Sequence, residues 1–544
     1  MIKKIINLQS KTITLSAALI AFSIGMSAIL GLLRDRLLVT YFSVDDLDVY
    51  FAAFRIPDFI YGILITGGIV AVFLPVFSST FERSKEEGIK LASNIMNVLL
   101  IFLFALCGIL FFATPYFVEM IVPGFSQESI QETIFLTRIM LVSPIILGAS
   151  SLFSGFLQYF DRFLAYSLAP IFYNLGIIAG ILLLAPHFGL VGVAYGVVFG
   201  AVLHLLIQVP PAYFSGFSYR PVIDLKQKEL RKVFFLMLPR IIGQASTKIN
   251  MIVITALASL LAAGSVSIFN LANNLQSFPI RIVGVAFAVA AFPAFSRSLA
   301  LEQKEEFSRS FSKVVCQVLF FIIPASVIVF LLRAHVVRLV LGVEGFGWKE
   351  TQLTAACLGV FAFAFFAAAL IHILVRAFFS FQDTKTPVLI SLVAMGTNIA
   401  LAFLFVWIIN AEGLLNSVLS SFLRLGAIDD IAVIAFPLSV FLSSILHLFL
   451  LFYFLRRKMG SFHGSRIKNC IIKTALASGI MGSFVYLTRV TMENFFSLNT
   501  FFAVLATTGV SLLVAAVVYF ISLKAVKSSE FEEVIQSIFK YGKK

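Results

Sequence analysis

Apolar runs of roughly 18 to 30 residues, divided by short polar stretches, recur from one end of the chain to the other. Each is long enough to cross a hydrocarbon core about 30 Å thick as a helix, so helices are the expected element throughout. The pattern places them near 13–33, 56–80, 91–113, 137–159, 163–185, 189–213, 233–262, 265–295, 314–334, 353–380, 386–410, 431–455, 469–488 and 499–523. The expectation is an all-α polytopic membrane protein of about fourteen transmembrane helices. Between the eleventh and twelfth, the spacing of Leu414, Leu415, Val418, Leu419 and Phe422 in the 411–430 segment favours a surface helix.

Composition narrows this further. The 544 residues are 60% hydrophobic and 12% charged, with mean hydropathy +1.01, whereas soluble domains carry about 25% charge. No soluble fold fits. The first run follows Lys3, Lys4 and Lys11 and so resembles a secretory signal, but it is long and the chain after it stays membranous, so it is expected to be retained as the first span.

The net charge of +14 does not point to nucleic acid. Well over half of the 41 Lys and Arg fall at the two ends of the chain and in the even-numbered loops, the imbalance that fixes cytoplasmic segments. Both termini are expected in the cytoplasm, with the chain in the bacterial inner membrane. Basic runs such as Arg456-Arg457-Lys458 and Arg231-Lys232 read as topology signals. Cys107, Cys316, Cys357 and Cys470 stand singly, and the six histidines show no metal-ligand spacing. No cofactor or metal is expected, and no phosphate-cradling GxxxxGK[ST] loop suggests nucleotide hydrolysis. An intramembrane enzyme would need clustered Asp, His or Glu on facing helices, and none appears.

An internal repeat organises the chain. Val72-Phe73-Leu74-Pro75-Val76-Phe77-Ser78 returns as Ala290-Ala291-Phe292-Pro293-Ala294-Phe295-Ser296, matching Pro75 with Pro293. Asp161 with Asn174 returns as Asp383 with Asn398 at nearly the same offset. Each copy holds six helices, an even number, so the two should point the same way about an axis along the membrane normal. The expected organisation is a first lobe over 1–220, a second over 221–458, a terminal helix pair over 459–524 and a tail over 525–544. In such folds the substrate lies between lobes near the midplane and access alternates by rocking.

Charges within spans cost roughly 2.5–3.5 kcal/mol on insertion scales and call for a reason. Those here are mostly cationic: Arg34, Arg55, Arg138, Arg240, Lys248, Arg281 and Arg376, with Asp48 and Asp58 the nearby acids of the first lobe. Snorkelling or internal pairing would account for any one of them, and suits Arg138 and Arg376 near span ends. Arg34, Arg55, Lys248 and Arg281 fall on the first two helices of each repeat, where guanidinium and ammonium groups would select a phosphate or diphosphate. A cation-coupled multidrug exporter would instead be expected to carry cavity carboxylates. Pro57, Thr66-Gly67-Gly68, Pro279 and Gly284 supply places for helices to bend.

These residues carry a family resemblance. Gly31-Leu32-Leu33-Arg34-Asp35, then Asp48-Val49-Tyr50-Phe51-Ala52-Ala53-Phe54-Arg55-Ile56-Pro57, resemble the MurJ (MviN) family of lipid II flippases, of the same superfamily as multidrug and polysaccharide exporters. Arg376-Ala377-Phe378-Phe379-Ser380-Phe381-Gln382-Asp383-Thr384-Lys385-Thr386-Pro387 is similar to that family's "RaFYAxxDTrTP" segment, and Gly264 to Ser267, Pro279, Gly284 and Pro293 fit its seventh and eighth helices. The resemblance implies fourteen helices, two six-helix lobes around a cationic cavity, and two C-terminal helices forming a groove for a polyprenyl tail. It places Arg34 and Asp48 at positions of the family's functional arginine and aspartate.

There are departures. The family's "LRRlfaEGAfs" reads Ile60-Tyr61-Gly62-Ile63-Leu64-Ile65-Thr66-Gly67-Gly68-Ile69-Val70, "ADRL" reads Ala272-Asn273-Asn274-Leu275, and a first-helix arginine is replaced by Ala28. The expected substrate-binding set is therefore Arg34, Asp48, Arg55, Lys248, Asn274 and Arg281, with Arg55 and Arg281 supplying the missing charge. The expected function is alternating-access flipping of lipid II, with the membrane potential a candidate energy source. Flipping of another polyprenyl-diphosphate glycan, or multidrug export, are the alternatives. Expected partners are the lipid, the bilayer and, by the resemblance, cell-wall synthesis enzymes.

Overall fold

The computed structural model of the chain describes residues 13–63, 69–411, 413–426, 428, 430–460, 462–495 and 500–533. The described residues form helices and connections. We label the longer helices α1 (Ile13–Tyr41), α2 (Val44–Ala53), α3 (Arg55–Ile60), α4 (Val70–Arg83), α5 (Lys85–Ile121), α6 (Gln127–Met140), α7 (Val142–Tyr159), α8 (Phe163–Ala179) and α9 (Leu190–Leu206). There follow α10 (Lys228–Ser259), α11 (Ser265–Pro279), α12 (Ala286–Ala300), α13 (Lys304–Leu331), α14 (Arg333–Leu341), α15 (Trp348–Ala362) and α16 (Phe365–Ser380). Last are α17 (Lys385–Asn410), α18 (Leu414–Leu423), α19 (Ala435–Met459), α20 (Gly464–Phe495) and α21 (Phe501–Ala525).

Eleven stretches among the described residues are long and apolar enough to cross a membrane, or twelve if the bent pair α15 and α16 is one span. This is a multi-pass helical membrane protein, and the expected fourteen spans are not all found. Two differences are local. The run expected as one helix over 56–80 is not a plain α-helix: α3 passes into a π-helical turn at Tyr61, Gly62 and Ile63, and α4 starts at Val70. The proposed bend at Thr66-Gly67-Gly68 lies outside the described residues. The run expected over 353–380 bends by 49° between Ala362 and Phe365.

Compactness divides the chain into residues 1–267 and 268–544. In the first unit, the segment after α9 is strapped along α5: Asn94 Nδ2 donates to the Asp224 carbonyl (2.9 Å), Asn97 Nδ2 to the Val222 carbonyl (2.9 Å), and Arg220 pairs with Glu86 (2.8 Å). That strap carries the chain into α10, which therefore packs within this unit. Its core is aromatic, with Phe73 stacked on Phe77, and Phe77 against Phe156 and Tyr159. Helices α8 and α9 approach closely along a small-residue seam: a Cβ on Gly176 would come within 2.3 Å of the Gly200 Cα.

The two units repeat helix order internally. Both π-helical turns on the proline-bearing helices fall at matching places, at 61–63 before Pro75 and at Ile280–Val285 before Pro293. Both carry the same helix-ending turn, in which Asp161 and Gln382 take left-handed φ of 55° and 58° and the next N–H reaches back to the Leu157 and Phe378 carbonyls. The structural counterpart of Asp161 is thus Gln382, one residue before the Asp383 that the sequence pairs with it. Asn174 donates to Ser27 on α1 (3.2 Å), and Asn398 accepts from Ser443 on α19 (3.3 Å).

Asp383 has its own work. It accepts the Thr386 N–H (3.0 Å) and hydroxyl (2.8 Å) at the start of α17, and its other partner, Lys458 Nζ, lies 2.7 Å away at the end of α19. Partial burial opposes its ionisation, but the Lys458 and Thr386 contacts outweigh that and hold the carboxyl below the usual carboxylate range. A depressed folded-state pKa contributes stability above the ordinary carboxylate pKa that is lost as pH falls through the lowered value. Asp383→Asn, which keeps an oxygen for the Thr386 N–H but loses the charge that meets Lys458, should therefore destabilise the protein at neutral pH by about 1 kcal/mol, the scale of a partly exposed charged pair. Melting curves of wild type and variant should converge as pH is lowered towards about 3.

Candidate functional site

Arg55 and Asp58 sit one turn apart on α3, and Lys248 and Thr255 two turns apart on α10, so each pair shares a face. The two faces meet in opposite directions. Arg55 Nε donates to Thr255 Oγ1 (2.6 Å), and Lys248 Nζ pairs with Asp58 Oδ2 (2.6 Å). Arg55 is only 7% exposed, whereas the Lys248 and Asp58 side chains keep 24% and 37% of their surface. The Lys248 stem runs over Gly62: a Cβ there would stand 2.2 Å from Lys248 Cε.

Arg34, on α1, donates through Nε (3.1 Å) and Nη2 (2.8 Å) to one oxygen of its neighbour Asp35, itself 2% exposed. Tyr50 on α2 and Tyr173 on α8 lie within electrostatic reach of this guanidinium, and Tyr173 also senses Tyr61 and Asp58. One polar cluster therefore joins side chains from α1, α2, α3, α8 and α10. Its cations are balanced in part by Asp35 and Asp58, and its phenols offer further donors.

Asp48, 5% exposed, is placed differently. Its Oδ2 accepts the Gly264 N–H (2.8 Å) and its Oδ1 the Ser267 N–H (2.6 Å), so the carboxylate caps the start of α11. Gly264 has φ +85°, and a Cβ there would also strike Val44 at 2.8 Å, so both the turn and the fit favour glycine. In the second unit, Asn274 is half-buried on α11 and Arg281 exposed in the π-helical turn. Of the six expected residues, the first unit brings Arg55 and Lys248 onto one helix contact with Arg34 nearby, and commits Asp48 to a helix start.

Some polar side chains escaped the sequence reading. Ser150, Ser154, His204 and Gln208 form a closed buried network between α7 and the end of α9: Ser150 Oγ meets His204 Nδ1 (2.7 Å), Gln208 Nε2 donates to Ser150 Oγ (2.7 Å), and Ser154 Oγ to Gln208 Oε1 (2.7 Å). A repeated Ser-x-x-x-Ser on α7 opposite His-x-x-x-Gln was the available signal. In the second unit, Cys316, Cys470 and Glu530 bring their ligand-type atoms within 4.8 Å of one another. Cys470 donates to the Cys316 carbonyl (3.6 Å) and Glu530 accepts from Ser528 (3.0 Å), so packing and capping account for them.

Two recurring helical units and a cation-bearing polar cluster define a multi-pass transporter. A family model described as "Lipid II flippase MurJ" matches residues 38–507. Curated relatives named probable lipid II flippase MurJ include those of Borreliella burgdorferi, 27% identical over 86% of this chain and 94% of the relative, and Thermotoga maritima, 25% identical over 95% and 98%. A solved lipid II flippase MurJ in an inward closed conformation matches with TM-score 0.75 and 22% identity, covering 95% of this chain and all of that one. An inward-facing multidrug transporter of the MATE family, in the MOP superfamily, matches with TM-score 0.64 and 13% identity over 81% and 98%. The chain belongs to the MurJ family, whose members are transporters and not enzymes.

Lys248→Ala and Asp58→Ala should each cost about 1–2 kcal/mol, the range for a charged hydrogen bond discounted for exposure, and the double variant little more than either alone. Gly62→Val should reproduce the loss by evicting the lysine stem. Thermal unfolding of the four variants in one detergent measures the coupling.

Proposed function

We propose that this chain flips lipid II, an undecaprenyl-diphosphate-linked peptidoglycan precursor, from the cytoplasmic to the periplasmic face of the inner membrane. The observation that carries this reading is the family match across residues 38–507, with curated relatives bearing the flippase name over most of their length. The cation-rich cluster supports it chemically, because guanidinium forks suit diphosphate oxygens. Acids that a cation-coupled exporter would need are already engaged: Asp35 with Arg34, Asp58 with Lys248, and Asp48 with the start of α11.

In the proposed cycle the headgroup enters a cationic cavity from the cytoplasmic side, the termini lie in the cytoplasm, and alternating access exposes the headgroup to the periplasm. Arg34, Arg55, Lys248, Asn274 and Arg281 are the proposed headgroup contacts, and Asp48 acts by fixing where α11 begins. The polyprenyl tail stays in lipid along the terminal helix pair, α20 and α21. A membrane potential supplies about 2.3 kcal/mol per charge per 100 mV to such a cycle. Cell-wall synthesis enzymes are the expected neighbours that deliver and remove the lipid.

The test is complementation of a flippase-depleted strain at matched expression, while following accessibility of the precursor on the periplasmic face. Wild type should restore accessibility; Arg34→Ala should abolish it, and Arg34→Lys should recover only part, since lysine lacks the bidentate fork. Unchanged accessibility on expressing wild type would sink the lipid II assignment. Full function of Arg55→Ala and Arg281→Ala would remove those two from the headgroup site.

A further inference from the structure

Two apolar cavities of the second unit, of about 730 and 650 Å³, are walled by α13, α16 and α20, with α19 lining the larger; they share Ile323 on α13 and Phe366 on α16 and so form one apolar channel along α13. One end reaches Arg456 on α19; the other reaches Phe330 on α13 and Tyr486 on α20. The second end is heavily cationic. The Arg333 guanidinium lies over the Phe330 ring at 5.0 Å, and that of Arg489 over the Tyr486 ring at 5.2 Å. Two of the channel-lining rings at this end, Phe330 and Tyr486, are therefore roofed by an arginine.

These arginines are anchored. Arg333 donates to the carbonyls of Phe330 (2.9 Å) and Leu423 (3.1 Å), and Arg489 to that of Leu331 (3.0 Å), which satisfies the last turn of α13. Helix capping explains where they point but not their number. Arg489 and Arg424 both lie within electrostatic reach of Arg333, while Arg489 and Arg338 reach His335. The ion pairs described there all fall to Glu493, 3.5 Å from Arg489 Nε and 3.5 Å from His335 Nε2.

Among the described residues Glu493 is thus the one carboxylate set against Arg333, Arg338, Arg424 and Arg489, and at 3.5 Å it makes a loose ion pair. Like charges gathered in this excess at the mouth of an apolar channel suit an anion that carries hydrocarbon.

We infer that Arg333, Arg424 and Arg489 form a phosphate site for an anionic phospholipid of the bilayer, one acyl chain of which lies in the channel between α13, α16 and α20. The fork geometry of arginine takes two phosphate oxygens at once, and basic pockets between membrane helices select anionic headgroups in this way. The site is separate from the headgroup contacts of the proposed transport cycle, and its occupancy is read without any flipping assay.

The experiment uses the full chain in detergent with added dioleoyl phosphatidylglycerol or dioleoyl phosphatidylcholine, reading bound lipid by native mass spectrometry and the melting temperature in parallel. Phosphatidylglycerol should be retained in preference to phosphatidylcholine. Arg333→Gln with Arg489→Gln should weaken that preference by about tenfold, the worth of one charged hydrogen-bonding group. Arg424→Gln, at an exposed position that caps no carbonyl of α13, should weaken it in a chain that melts as wild type does, which keeps the test open if the double variant fails to fold. Arg456→Gln, at the far end of the channel, should leave it intact. Equal retention of the two lipids by wild type, or a preference that survives Arg424→Gln and the folded double variant, overturns the assignment.

Discussion

An ionisable side chain within a hydrocarbon layer about 30 Å thick is tolerated only where protein atoms replace its lost water. That requirement organises the first unit. Arg55 finds the Thr255 hydroxyl, Lys248 finds Asp58, Arg34 finds Asp35, and Asp48 finds two backbone N–H groups that no other residue of a helix start can satisfy. Three of these four contacts cross between helices far apart in sequence. The same side chains that would hold an anion are therefore those that fix α2 and α3 against α10 and the start of α11, so binding and helix placement draw on one set of groups.

Breaks in the helices follow from the same economy of backbone hydrogen bonds. Each unit has a π-helical turn ahead of a proline-bearing helix, at 61–63 ahead of α4 with Pro75 and at Ile280–Val285 ahead of α12 with Pro293, and ends another helix on a left-handed residue, Asp161 or Gln382. A π-helical turn displaces side chains around the helix without abandoning backbone pairing, which membrane interiors require. Arg281 lies within such a turn, and Gly62 within its counterpart.

The fold was legible where long apolar runs carry a single period: the extents of α17, α19 and α21 agree with the hydrophobic pattern, and the helix over Leu414–Leu423 exposes Leu414, Val418 and Phe422 as its spacing requires. It was not legible where a break leaves hydropathy unchanged, as at Ala362 to Phe365, because apolar residues on either side of a bend look alike. Arg34, Arg55 and Lys248 could be picked out as charges inside spans. Their partners could not, since Asp58 with Lys248 and Arg55 with Thr255 are pairings of two distant faces that no local spacing encodes. Asp48 was read as a substrate group by resemblance; its two helix-start contacts are visible only once Gly264 and Ser267 are seen beside it. The Ser150, His204 and Gln208 network was lost in the same way, each member ordinary alone.

The departures from the family's usual second helix acquire a physical sense from Gly62. Where many members are expected to carry two arginines and a glutamate, this chain has Ile60-Tyr61-Gly62-Ile63 and lacks all three charges. The space above Gly62 is filled by the stem of Lys248, delivered from α10, and the acid that meets it is Asp58, one turn before the missing run. A large side chain at 62 and a lysine at 248 exclude one another, so the loss of charge from one helix and its gain from the other are two sides of a single packing choice. Arg55 fits the same exchange: one turn before Asp58, it donates to Thr255 on the same α10 face, with Asp58 of its own helix within electrostatic reach. The cationic character that the family places on its second helix is thus held here jointly by the second helix and α10. The position of those charges then depends on the contact between them, and a substitution at Gly62, which carries no charge at all, would shift these cations as directly as a change to one of them.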